Sequence, residues 1–100
     1  MALKVRLTAQ VQADLEDIRS YLLPRSPQGA EHVRAAIEAV IDLLADFPGM
    51  GHQTDIADIR VLSTSLYPYL VYYLVAADEL VIVHIRHGAR AAPTPDDIQR

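Results

Sequence analysis

The chain contains no cysteine and no tryptophan, a single phenylalanine, and Lys4 as its one lysine among 100 residues. Without thiols there can be no zinc–thiolate centre, no thiol nucleophile and no disulfide-stapled scaffold. The length fits one domain, and a hydrophobic content of 51% supplies a core without staples or a structural metal. No apolar run approaches the ~20 residues that cross a bilayer. The first residues, Met1-Ala2-Leu3-Lys4-Val5-Arg6-Leu7, alternate charge with apolar side chains where a secretory leader would be continuously apolar. A soluble cytoplasmic protein without membrane contact is expected. Also missing are a glycine-rich phosphate loop, a nucleophile elbow, internal repeats and low-complexity tracts.

The formal net charge of −4 argues against long-range attraction to nucleic acid. The charge is unevenly placed, however. Between Ile59 and Arg90 the only acids are Asp78 and Glu79, side by side in an expected turn, while Arg60, His84, Arg86, His87 and Arg90 all fall in or beside that stretch. The acidic average conceals a basic region late in the chain.

Local patterns divide the chain into elements. Leu3, Val5 and Leu7 alternate with Lys4 and Arg6, as in a half-buried strand. Thr8 reads as the N-cap of a helix to about Leu23, with Val11, Leu15, Ile18 and Leu22 on one face and Pro24 as its stop. Ser26-Pro27 opens a second helix whose buried face runs from Ala30 through Val33, Ile37, Val40, Ile41 and Leu44 to Phe47, and Pro48-Gly49 ends it. The short connection predicts an antiparallel helix hairpin. Residues 50–58 read as a loop. Three strands follow, at about Ile59–Thr64, Tyr69–Val75 and Leu80–His87, the last two joined by a tight turn at Ala76-Ala77-Asp78-Glu79. Thr94-Pro95-Asp96-Asp97 has the cap, proline and acid of a short helix start. The expected fold is α+β: an N-terminal strand, an antiparallel helix hairpin and a three-stranded antiparallel meander, with residues 1–92 as the domain and 93–100 as a tail.

Simple alternation along the strands sends Ile59, Val61, Val81, Val83 and Ile85 to the helix-covered core. It leaves Arg60, His84 and Arg86 on an open face, with Leu62 and Ile82 among them, and His87 and Arg90 at the nearby rim. Guanidinium forks suit phosphate or carboxylate. RNA cleavage would use Arg60, Arg86 and Arg90 to stabilise the crowded phosphate and His87 or His84 to move protons. His84 and His87, three apart on a strand, point to opposite faces, so no shared metal and no cofactor is expected. The tyrosines read first as sheet packing. On the second helix Glu31, Glu38, Asp42 and Asp46 line the side opposite the apolar face, a solvated stripe or a dock for a basic partner.

The ordered set Ala13-Asp14-Leu15-Glu16-Asp17-Ile18 with Tyr21, Phe47-Pro48-Gly49-Met50-Gly51, Arg60-Val61-Leu62, Tyr67-Pro68-Tyr69-Leu70-Val71-Tyr72-Tyr73 and Val83-His84-Ile85-Arg86-His87-Gly88-Ala89-Arg90 resembles the RelE/ParE superfamily of type II toxin–antitoxin toxins. The resemblance spans Leu3 to Arg90 and implies two helices packed on a mainly antiparallel sheet. It also implies a neighbouring antitoxin as partner, with operator DNA touched only through that antitoxin. Members either cleave mRNA on the ribosome, as RelE-like toxins do, or poison DNA gyrase, as ParE-like toxins do. The single lysine, the acidic balance, the absence of a tyrosine after Tyr73 and the His-Gly-x-Arg ending favour the ParE-like branch, with ribosome-dependent mRNA cleavage as the alternative. Arg60, Arg86 and Arg90 match basic positions of the family, and the open face and helix stripe read above give the expected partner-binding set: Arg60, Leu62, Ile82, His84, Arg86 and Arg90, with Glu38, Asp42 and Asp46 on the helix. A nuclease would draw on Arg60, Arg86, His87 and Arg90.

Overall fold

The structure, a computed structural model, describes residues 2–100; Met1, where the expected domain begins, lies outside them. Strand β1 (Lys4–Leu7) leads into helix α1 (Ala9–Leu22), and helix α2 (Pro27–Asp46) returns beside it. Then come β2 (His52–Gln53), β3 (Arg60–Ser63), β4 (Tyr69–Ala76) and β5 (Glu79–His87), with single 3-10 turns at Pro48–Met50 and Pro95–Asp97. The helix starts follow from side-chain caps. Thr8 Oγ1 accepts from the Val11 N–H at 3.3 Å, and Ser26 Oγ from the Gly29 N–H at 2.9 Å. Thr94 and Asp97 form the reciprocal capping box of the last turn.

The sheet order is β1-β5-β4-β3-β2, with β1 parallel to β5 and every other pair antiparallel. The expected α+β fold is present, with one strand more than the sequence pattern suggests. That strand, β2, lies in the segment expected to be a loop. Two residues are too few to leave a periodic signal. They are held by pairing with Arg60 and Val61, while the Gln53 amide donates to the carbonyls of Thr54, Ile56 and Ile59.

Both faces of the sheet are apolar. On the helix side Val11, Val33, Ile37, Val40 and Leu44 pack against Tyr69, Val71, Tyr73, Leu80, Ile82 and Ile85. On the other side Tyr72, Leu74, Val81 and Val83 form a second cluster with Ile59, and Ile56 and Ile98 pack against it. The expectation that Val81 and Val83 share the helix-side core is therefore corrected. The cause is a register shift: Tyr72 pairs with His84 but Tyr73 pairs with Ile82, so Val83 is an extra residue without a cross-strand partner. Such a bulge resets the alternation, so that Leu80 and Ile82 face the helices before it and Ile85 after it.

Candidate functional site

The same bulge builds a polar constellation. Strand β1 covers β5 only from Glu79 to Ile82, and beyond that point α1 takes over the vacated edge. Helix α1 brings one carboxylate there, Asp14, only 8% exposed. Its Oδ2 accepts from the backbone N–H of Ile85 at 3.0 Å and lies 2.5 Å from His84 Nδ1; its Oδ1 accepts from Gln10 Nε2 at 2.8 Å. A buried carboxylate is tolerable only when it is satisfied in this way. On the other side of the imidazole, His84 Nε2 lies 2.8 Å from Arg86 Nη2. A guanidinium can only donate, so Nε2 is the acceptor and the ring proton sits on Nδ1, donated to Asp14. Arg86 Nη1 in turn donates to the carbonyl of Ala91 at 2.7 Å, and Asp97 lies 3.9 Å from Nη2.

These bonds brace the turn after β5. The Gly88 N–H donates to the Pro68 carbonyl and the Arg90 N–H to the His87 carbonyl, while the His87 ring meets Tyr69 edge-on with centroids 5.3 Å apart. His87 Nδ1 accepts from the Ala89 N–H at 3.0 Å. Between this rim and α1 lies an open cleft of about 680 Å³, bordered by the Asp14–His84–Arg86 set together with Asp17, Tyr21, Tyr69, His87 and Arg90, with Asp96 and Asp97 also in its wall. Burial, and after it the neighbouring Tyr21, pushes the Tyr69 phenol above its ordinary value, against a smaller opposing pull from Arg90. Among the described residues no three His, Asp or Glu side chains gather as a metal site would require.

The structure splits the expected basic face. His84 and Arg86 share the side of Tyr72 and Leu70, but Arg60 pairs with Tyr73 on the helix side, near the far end of β3. Its Nη1 donates to the Gly51 carbonyl at 2.8 Å. Leu62 packs against the helix-side core, and Ile82 is fully buried within it. His84 is buried as well, so neither Ile82 nor His84 lies on an open surface, and the second face is covered rather than free. The physical reason is twofold: the bulge shifts the alternation, and loop residues far apart in sequence supply the apolar cover. His87 and Arg90 do meet at the rim. The carboxylates of Glu38, Asp42 and Asp46 are exposed on α2, with Arg34 bridging Glu31 and Glu38.

Asp14 carries no role in the sequence pattern as read above. A signal was available: it stands three residues after Val11 and four before Ile18, a lone acid on the apolar stripe of an amphipathic helix.

A family model described as the ParE toxin of type II toxin–antitoxin systems, parDE, matches residues 5–92. The chain is 36% identical over 83 residues to Toxin RelE2 of Caulobacter vibrioides, spanning 83% of this chain and 92% of that one. In fold it is similar to a chain of the chromosomal ParDE TA system from P. aeruginosa, with a TM-score of 0.76 and 20% identity over 86% of this chain and 96% of that one.

Proposed function

The chain belongs to the ParE toxin family of type II toxin–antitoxin systems, a toxin with a cognate antitoxin as partner, and from that premise we propose that it poisons DNA gyrase by contact rather than cleaving mRNA. One observation carries this reading. Arg86, the best-placed cation for stabilising a crowded phosphate, spends its guanidinium on His84 and the Ala91 carbonyl, with Asp97 beside it. A nuclease needs such donors aimed at the developing charge. Of the two proton-transfer candidates, His84 is buried between Asp14 and Arg86, and His87 at the rim has its Nδ1 engaged by the Ala89 N–H. Around the cleft Asp17, Asp96 and Asp97 oppose His87 and Arg90, which does not favour a polyanionic strand.

What remains free is a contact surface. Arg90, exposed at the rim, and Tyr21, across the cleft on α1 with the Arg25 guanidinium stacked 3.9 Å from its ring centroid, offer exposed guanidinium and aromatic groups, side chains enriched where proteins recognise one another. The antitoxin's C-terminal segment is proposed to lie over the sheet and helices, and any contact with operator DNA is proposed to fall to the antitoxin's own DNA-binding domain. No helix among the described residues is long and apolar enough to cross a membrane, and action in the cytoplasm belongs to the same proposal.

The purified protein should inhibit gyrase supercoiling or trap cleaved DNA, and leave mRNA programmed on ribosomes intact. Ribosome-dependent cleavage of that mRNA with no effect on gyrase would overturn the choice of target. It would leave the family standing.

A further inference from the structure

Asp14, His84, Arg86 and the Ala91 carbonyl form one unbroken line of hydrogen bonds from the middle of α1 to the rim turn. Its polarity is fixed by chemistry. Arg86 supplies only donors and the Asp14 carboxylate only acceptors, so a single state of the ring between them satisfies both: neutral, with the proton on Nδ1. The opposite tautomer would set Nε2–H against a guanidinium N–H and the bare Nδ1 against a carboxylate oxygen. A doubly protonated ring would keep Asp14 and repel Arg86. The carboxylate itself is held by the Ile85 N–H and Gln10, so it is oriented before His84 is considered.

We propose that Asp14 is a positioning residue, which selects the tautomer of His84 and so keeps Nε2 an acceptor for Arg86, thereby fixing the turn that presents Arg90. Asp14 borders the floor of the cleft but is nearly buried, and its carboxylate is taken up by Ile85, Gln10 and His84. It acts on the target only through that line. The part of the inference that concerns potency rests on the proposed reading of the rim as the target-contacting surface; the tautomer does not.

Nitrogen-15 NMR of the purified toxin tests the line directly. At neutral pH His84 should show a protonated Nδ1 and an unprotonated Nε2, with Arg86 guanidinium protons in slow exchange. A ring protonated on Nε2, or on both nitrogens, overturns the proposal. Asp14→Asn retains an oxygen that can accept from both Ile85 and His84 once the Gln10 amide turns over, and should preserve tautomer, slow exchange and gyrase inhibition. Asp14→Ala removes the acceptor. In folded Asp14→Ala protein the proton should move to Nε2, the slow guanidinium exchange should vanish, and inhibition should fall by roughly 10- to 100-fold, the scale of lost orienting partners behind a working group. Should Asp14→Ala not fold, the wild-type tautomer and the behaviour of Asp14→Asn still decide. Unchanged His84 and Arg86 signals in Asp14→Ala would refute the proposal. Arg90→Ala serves as the separate control: full inhibition by that variant would refute the rim as contact surface, while the NMR result would still judge the line from Asp14 to Arg86.

Discussion

Replacing Tyr73 by Phe removes one oxygen atom and should cost more than any surface change in this protein. Tyr73 is fully buried in β4, and its hydroxyl donates to the Pro48 carbonyl at 2.6 Å and accepts from the Gly51 N–H at 2.9 Å. It thereby ties the chain leaving α2 to the centre of the sheet. Gly51 is itself buried, so its N–H would lose its partner without gaining water, a penalty of about 1–3 kcal/mol. The Pro48 carbonyl is partly accessible, and losing its bond costs about 0.5–1.5 kcal/mol. Together these give roughly 1.5–4.5 kcal/mol, a large share of the 5–15 kcal/mol typical of a domain. At about 4–8 °C per kcal/mol, the melting temperature should drop by at least about 6 °C. Urea unfolding should show a lower midpoint with an unchanged slope, and the Gly51 amide should exchange faster in the native state. Gly51→Ala should be severe for a related reason, since its Cβ would stand 2.4 Å from the Tyr73 hydroxyl and 2.7 Å from the ring carbon Cε1. Removing the hydroxyl cannot relieve the second contact, so Tyr73→Phe should not rescue Gly51→Ala. A loss below about 0.5 kcal/mol for Tyr73→Phe, within the range of ordinary surface substitutions, would refute this reasoning.

Two other expectations concern charge. The Thr94 backbone N–H, with smaller help from the Thr94 hydroxyl and Arg86, holds the Asp97 carboxyl below its ordinary value of 3.8. The folded value is depressed, so the stabilisation is fully present above 3.8 and is lost as pH falls through the lower folded value. Carbon-13 titration of Asp97 should therefore show a midpoint under 3.8, with the 94–97 turn loosening only below it; a midpoint above 3.8 would contradict the cap. On α2, Asp42 and Asp46 are exposed like charges one turn apart, whereas Glu38 already pairs with Arg34. Neutralising Glu38, Asp42 and Asp46 together should weaken antitoxin binding and flatten its salt dependence if basic antitoxin residues dock there, while the free toxin gains about 0.2–0.5 kcal/mol for each relieved repulsion, offset by a similar loss of the Glu38–Arg34 pair. Affinity unchanged at every salt concentration would identify the stripe as a solvated face.

Helices, caps and the three long strands were legible in the sequence because each leaves a local signal: Thr8 and Ser26 before apolar stripes, prolines at the boundaries, a two-residue turn at Ala77-Asp78 between β4 and β5. The site was only partly legible, and the reason is one inserted residue. Strict alternation assigns His84 by counting from Val81, and Val83 breaks the count, because a bulge adds a residue without adding a partner. The closed second face had a signal that alternation obscured. Leu70, Tyr72 and Leu74 on one side of β4 and Tyr69, Val71 and Tyr73 on the other require cover on both sides. A basic open face was therefore incompatible with β4 as a central strand, whatever the arginines beside it suggested. Once the second face is closed by Ile56, Ile59 and Ile98, the polar groups of β5 must either find partners at the strand edge or project past its end. His84 and Arg86 take the first course, held from Asp14; Arg90 takes the second. The division between structural and exposed basic groups follows from how far the apolar cover extends along β5.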